Sequence, residues 1–387
     1  MRILVVNGTF PPRRFGGITS VSYSISKHLV ERGHDVTVYT TDVGDDKYSR
    51  LKDNYLNFNG IKVYYFKNLS TTLAFNHRLF LPVGLIKKVK EDISKFDIIH
   101  LHDYRTSLNI ITSYYAQKNN VPYVIQTHGS LPSSMGKKKL NNIFDISFGR
   151  RIIKSASKVI ALTEIESKQY IDMGADANKI EIIPNGIDIL EYNDLSHSDK
   201  FIEKYHIKDH DKIILFLGRI NKVKGIDLLI EAFSDLTKKL DDVKLVIVGP
   251  DDGFLIKLLE LISDLNLRDK VILTGPLYEL DKRDAYASAD IYVLPSIYET
   301  YPLTVLEACA CRTAVIVTNR CSIADMIGEI GCVVDYDRSK MCKAIYDILI
   351  DNNLRKSYGE SGRKLVENEL TWNKIVNKFE LAYQSVI

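Results

Sequence analysis

Short runs rich in Ile, Val and Leu alternate along the chain with stretches whose apolar residues recur at helical spacing. The apolar runs predict strands at Arg2–Val6, Asp35–Thr40, Ile61–Phe66, Asp97–Leu101, Tyr123–Gln126, Lys158–Leu162 and Glu181–Ile183. A second series follows at Lys212–Leu217, Lys244–Val248, Lys270–Thr274, Asp290–Leu294, Ala314–Val317 and Cys332–Val334. Such composition suits strands covered on both faces of a parallel sheet. Two series of this kind predict an α/β protein built of two doubly wound, Rossmann-like domains. Ligands in these sheets bind outside the carboxyl ends of the strands. A two-domain chain is therefore expected to place its site in the cleft where the domains face each other. The pattern breaks near 185–205, where Pro184-Asn185-Gly186 ends a strand and the polar run Glu191–Lys200 follows. Domains are expected at 1–190 and 191–370. A C-terminal helix over 371–387, with Trp372, Ile375, Val376, Phe379, Leu381 and Tyr383 at helical spacing, suits packing on either domain, the first included.

Composition narrows this picture. A chain of 387 residues suits two cores rather than one. A net charge of +3 gives no reason to expect bulk nucleic-acid binding. The longest apolar runs, such as Leu245–Val248, are strand-sized and too short to span a bilayer. The opening MRILVV reads as a strand, because its apolar run stops at Asn7-Gly8. All five cysteines fall between Cys309 and Cys342 without a Cys-x-x-Cys pair, and Cys309 and Cys311 leave a helix on different sides. Reduced thiols in a cytoplasmic protein are the simpler expectation.

Candidate chemistry is densest in Leu294–Val317, LPSIYETYPLTVLEACACRTAVIV. Pro302 suits the first turn of a helix. Glu307 falls inside an apolar run, where a carboxylate is costly without hydrogen-bond donors. The helix N-terminus favours a phosphate. Thr304 to Glu307 also fits a capping box, in which Glu307 merely serves the backbone, although Pro302 implies a helix already begun.

Gly16-Gly17 opens a helix after the first strand, without a G-x-G-x-x-G fingerprint. Two glycines there either let backbone approach a phosphate or sugar, or serve a loop that needs positive φ. His100 and His102 alternate onto one face and leave Asp103 in the loop, with no further partner at metal spacing. His128, at a strand tip beside Gly129, suits either a site or a structural hydrogen bond. Arg219 and Lys224 flank a strand-to-helix connection, either as solvated charges or as a grip on a diphosphate. Asp209-His210-Asp211 and Asp335-Tyr336-Asp337 abut strands where turn carboxylates are routine, so no metal is assigned. Lys137–Lys154 joins Leu140, Ile143, Phe144, Phe148 and Ile152 to two basic clusters. It reads either as a core-facing helix or as a patch touching anionic lipid reversibly.

Taken in order, these pieces resemble the family-4 (group 1) glycosyltransferases, retaining enzymes of the GT-B architecture. The resemblance runs through G-G-I-T-S at Gly16–Ser20, L-x-x-R-G-H-x-V-T-V at Leu29–Val38, T-H-G at Thr127–Gly129 and A-L-T-E at Ala161–Glu164. It continues through I-P-N-G-I-D at Ile183–Asp188, L-G-R-I-N-K-V-K-G at Leu217–Gly225 and P-S-x-x-E-x7-E at Pro295–Glu307. It implies transfer of a sugar from a nucleotide-diphosphate donor to a glycan or lipid-linked acceptor, in cell-surface polysaccharide or glycoconjugate synthesis. Arg219 and Lys224 would neutralise the diphosphate, helped by backbone near Gly16 and Gly17 and by the N–H groups of Leu303 and Thr304. Glu307 would hold the ribose, Glu299 the transferred sugar, and His128 would lie near that sugar. No cofactor or metal is implied. The expected place is the cytoplasm, at the inner face of the membrane. Two other functions fit the same motifs: a non-catalytic sugar-nucleotide-binding partner of another transferase, or a GT-B epimerase. Three departures bear on specificity. Thr300-Tyr301-Pro302 adds bulk beside the donor sugar, Arg312-Thr313-Ala314 replaces the usual Gly-x-Pro, and a Gly-Gly is lost at Arg320–Ser322.

Overall fold

The computed structural model describes residues 1–12, 16–44, 49–77, 79–131, 138–193 and 198–387. The chain folds into two units, one of Met1–Gly186 with Trp372–Ile387, the other of Ile187–Thr371. The C-terminal helix Trp372–Gln384 thus belongs with the first unit. Every anticipated strand is present, with its ends displaced by no more than one residue.

The first unit holds β1 (Arg2–Val6), β2 (Asp35–Thr41), β3 (Tyr55–Phe58), β4 (Ile61–Phe66), β5 (Ile98–His102), β6 (Tyr123–Gln126), β7 (Lys158–Ala161) and β8 (Ile180–Ile182). They lie in the order β3-β4-β2-β1-β5-β6-β7-β8. Pairing is parallel except between β3 and β4. The edge strand β3 lies between the anticipated strands Asp35–Thr40 and Ile61–Phe66, where no strand was expected. Its signal is Asn59-Gly60: φ values of 52° and 82° make the two-residue turn that matches the twist of a hairpin. One sheet face packs Leu4, Val6, Leu101 and Ile125 into a core with Leu108, Ile152 and Ile153. Alternation sends His100 and His102 to the opposite face. The Trp372–Gln384 helix buries Ile375, Val376, Phe379 and Tyr383, and packs beside the Gly17–Glu31 helix.

The second unit holds β9 (Lys212–Leu217), β10 (Val243–Val248), β11 (Val271–Gly275), β12 (Ile291–Leu294), β13 (Ala314–Thr318) and β14 (Cys332–Val334). Their order is β11-β10-β9-β12-β13-β14, parallel throughout. Chain direction across the sheet reverses between β1 and β5 in one unit and between β9 and β12 in the other. A crevice at the strands' carboxyl ends is expected at each reversal. No helix among the described residues is long and apolar enough to cross a membrane.

Candidate active site

In the second unit the loops after β9 and β12 meet at the reversal point. Gly225 has φ +64°, and a Cβ there would stand 2.1 Å from the Pro295 carbonyl oxygen, so only glycine allows the approach. Ile297 N–H donates to the Val223 carbonyl at 2.8 Å. This contact brings Lys224 and Glu299 together. The Lys224 ammonium donates directly to Glu299 Oε1, with side-chain exposures of only 19% and 16%. Burial, with the Arg219 charge nearby, pushes Lys224 down to about 8, so it stays charged at neutral pH. Arg219 is more open and donates to Asp252 at 2.7 Å, an oxygen it shares with Asn221 Nδ2.

The helix Leu303–Ala310 starts one residue later than Pro302 was expected to start it. Pro302 is the N-cap residue, and no side chain caps the helix. The capping box does not form. Thr304 Oγ1 accepts from Tyr292 at 2.7 Å, while Glu307 accepts from Lys282 at 2.7 Å and from Tyr286 at 2.9 Å. Those two donors answer the burial cost of Glu307 and leave its carboxylate with further lone pairs. The N–H groups of Leu303 and Thr304 lack intrahelical partners by position and carry the positive end of the dipole. Tyr301 is buried rather than lining an open surface. Burial, with Cys309 and Cys321 nearby, raises its pKa, and its hydroxyl has no partner among the described residues.

The first unit holds the other candidates. Gly16 has φ +97° and forms the N-cap of the Gly17–Glu31 helix without a side-chain cap. An added Cβ at Gly16 or Gly17 would meet nothing within 4 Å among the described residues, and the positive φ is what favours glycine at Gly16. His128 follows β6 with φ +53°, in a turn that continues through Gly129 at +79°. That turn is gripped by the buried Glu166, whose Oε1 accepts from Thr127 Oγ1 at 2.9 Å and from Gly129 N–H at 2.6 Å. Its Oε2 accepts from Leu162 N–H at 2.7 Å. Burial raises the Glu166 pKa, and these hydrogen bonds oppose the rise. Arg105 secures the far side of the turn, donating to the Ser130 and Leu131 carbonyls and to both Asp145 oxygens. His128 Nε2 lies 2.9 Å from His102 Nδ1.

Glu166 and Arg105 were not singled out from the sequence. Glu166 had a signal, T-x-x-E at Thr163–Glu166, and Thr163 does cap that helix by accepting from Glu166 N–H at 3.2 Å. The same pattern at Thr304–Glu307 pointed to a cap that is absent.

Of the Lys137–Lys154 segment, Lys137 lies outside the described residues. The rest is not one helix but helix Lys138–Phe144, a π turn Asp145–Gly149 and helix Arg150–Ser155. Phe144 and Ile152 pack on the core, whereas Leu140, Ile143, Ile146 and Phe148 are exposed beside Arg150 and Arg151. Elsewhere, His210, Asp211 and Asp242 cluster near the amino ends of β9 and β10, the opposite edge from Lys224.

Two family models divide the chain between them. "Glycosyltransferase Family 4" matches residues 15–190, and "Glycosyl transferases group 1" matches residues 197–365. The chain belongs to the family-4 glycosyltransferases. An uncharacterised glycosyltransferase of Methanocaldococcus jannaschii is 27% identical over 99% of both chains. The N-acetyl-alpha-D-glucosaminyl L-malate synthase of Bacillus anthracis is 26% identical over 96% of this chain and 94% of its own. The crystal structure of Anabaena HepE in complex with UDP and glucose matches with a TM-score of 0.80 at 20% identity, covering 100% of both chains. The fold of this family-4 chain is therefore GT-B.

Proposed function

We propose that this glycosyltransferase moves a hexose from a nucleotide-diphosphate sugar to a glycan or lipid-linked acceptor with retention of anomeric configuration. The observation that carries the reading is the Lys224–Glu299 pair, held by the Gly225–Pro295 contact at the sheet reversal. Lys224, Arg219 and the N–H groups of Leu303 and Thr304 would face the diphosphate, whose negative charge grows as the bond to the sugar breaks. Glu299 would release Lys224 to the phosphates and accept from sugar hydroxyls. Glu307, oriented by Lys282 and Tyr286, would accept from the ribose hydroxyls. Backbone around Gly16 and Gly17 would meet the phosphates, and His128 a sugar hydroxyl. Tyr301 would shape the floor beneath the donor from its buried position.

In the proposed step the acceptor oxygen attacks C1 on the face the diphosphate leaves. The C1–oxygen bond to the diphosphate breaks, and the acceptor's proton passes to the departing phosphate oxygen. The step calls on no cofactor and no metal. UDP is the first base to test, since HepE is a fold neighbour solved with UDP. Isothermal titration of UDP, GDP and ADP checks the donor half. One of them is expected to bind, with binding weakened at least tenfold in Lys224→Ala. Equal binding to the variant would contradict the assignment.

The exposed Leu140, Ile143, Ile146 and Phe148, with Arg150 and Arg151 beside them, support reversible contact with an anionic membrane at its cytoplasmic face. That contact would bring the enzyme to a lipid-linked acceptor in cell-surface glycan synthesis.

A further inference from the structure

One face of β5 carries two histidines that the proposed chemistry leaves unused. His100 and His102 are fully buried, with ring centroids 3.9 Å apart. His100 Nδ1 lies 2.7 Å from the Tyr383 hydroxyl on the C-terminal helix. His102 Nδ1 lies 2.9 Å from His128 Nε2, and the two rings are inclined by only 13°. His102 Nε2 has no hydrogen-bond partner among the described residues.

A hydrogen bond between two ring nitrogens needs one N–H and one bare lone pair. Burial keeps these rings neutral, pushing His128 down to about 3 and His102 well below its usual range. Each ring therefore carries a single N–H. If His128 Nε2–H donates, the His102 proton must sit on Nε2, a buried N–H with no acceptor. If His102 Nδ1–H donates, its Nε2 keeps only a bare lone pair. An orphaned buried N–H is the rarer and costlier of the two. The second arrangement places the remaining proton of His128 on Nδ1.

We propose that His102 is a positioning residue that fixes His128 as its Nδ1–H tautomer, so that His128 meets the sugar as a hydrogen-bond donor and not as a base. The hydrogen bond made by one ring nitrogen sets the state of the other. Glu166 accepts from the Thr127 hydroxyl on one side of His128 and from the Gly129 N–H on the other, which keeps the ring on His102. This inference rests on the donor-sugar role proposed for His128. It also deepens the reaction, because a donor tautomer cannot take the acceptor's proton and leaves that task to the diphosphate.

The test is a long-range proton–nitrogen correlation spectrum of the full chain labelled with 15N-histidine, with His128→Asn used to assign the resonance. His128 is expected to be protonated at Nδ1. In His102→Leu the His128 signal should move toward the other tautomer. In His102→Asn, whose amide N–H can stand in for Nδ1–H, the wild-type pattern should persist. In transfer assays His102→Leu should lose roughly 10–100-fold in kcat, as a lost orienting partner does, and His102→Asn should recover most of it. An Nε2–H tautomer in the wild type overturns the proposal, as does an unchanged tautomer in His102→Leu. Should His102→Leu fail to fold, the wild-type spectrum decides alone. The spectrum needs no substrate, so its outcome is separable from failure of the transfer reading.

Discussion

Lys224 combines a fixed position with the positive charge that the departing diphosphate needs. Lys224→Ala and Glu299→Ala should each cut turnover by about a hundredfold or more, the usual cost of a transition-state electrostatic contact. Steady-state assays against the wild type measure it. The pH dependence has a definite sign. The ammonium is charged below about pH 8 and neutral above it. kcat/KM for the donor should therefore fall as pH rises through about 8, reporting the free enzyme. Lys224→Arg, whose guanidinium does not deprotonate, should lose that alkaline limb whatever its absolute rate. A wild-type profile flat to pH 10 would contradict the assignment. The residue types of this site were legible in the chain because their spacing is local: Arg219 with Lys224, Glu299 with Glu307. Their partners were not. Lys282 and Tyr286 reach Glu307, and Glu166 and Arg105 reach the turn around His128, each from another segment of its own unit, and nothing in their own neighbourhoods marks them except the T-x-x-E at Thr163–Glu166.

The Leu303–Ala310 helix shows how far local rules carry. Its C-terminus closes with Thr313 N–H on the Ala308 carbonyl and Arg312 N–H on the Cys309 carbonyl, both 3.0 Å, the paired bonds of a left-handed helix stop. Arg312 sits at φ +59° where glycine is usual. The sequence exposed the departure, and a strained left-handed stop is what forms. Arg312→Gly should stabilise the fold by about 0.5–1 kcal/mol, relief of left-handed strain less the added freedom of the unfolded chain. Urea unfolding gives the number. The neighbouring Asn352–Glu369 helix presses Gly359 against this stop, where a Cβ would lie 2.1 Å from the Arg312 carbonyl oxygen. Gly359→Ala should destabilise by roughly 2–3 kcal/mol through overpacking; an unchanged midpoint would mean the stop yields freely. The strand β3 was missed for a different reason. Its Tyr55–Phe58 is short and half-exposed, so hydrophobic pattern is weak, and Asn59-Gly60 was the stronger signal.

Two doubly wound sheets were readable from alternating apolar runs, because strands buried on both faces write nearly continuous Ile, Val and Leu. The placement of the last helix was not, since its apolar stripe suits any core; it lies with the first unit, through residues such as Phe379 and Tyr383. The surface of 138–155 makes a claim about the molecule's surroundings. Sedimentation with liposomes should show binding that needs anionic lipid and falls with salt, and Ile143→Glu with Ile146→Glu should abolish it. Binding indifferent to lipid charge would remove the membrane contact without touching the chemistry. The chemistry itself stands on one measurement, hydrolysis of UDP-, GDP- and ADP-sugars by the chain with water standing in for the acceptor, while released nucleoside diphosphate and the first-formed anomer of the freed sugar are followed by NMR. The account predicts that one donor is consumed, that the sugar's anomeric configuration is kept, and that Glu299→Ala loses the activity. Consumption of no donor, or a variant as active as the wild type, would contradict it.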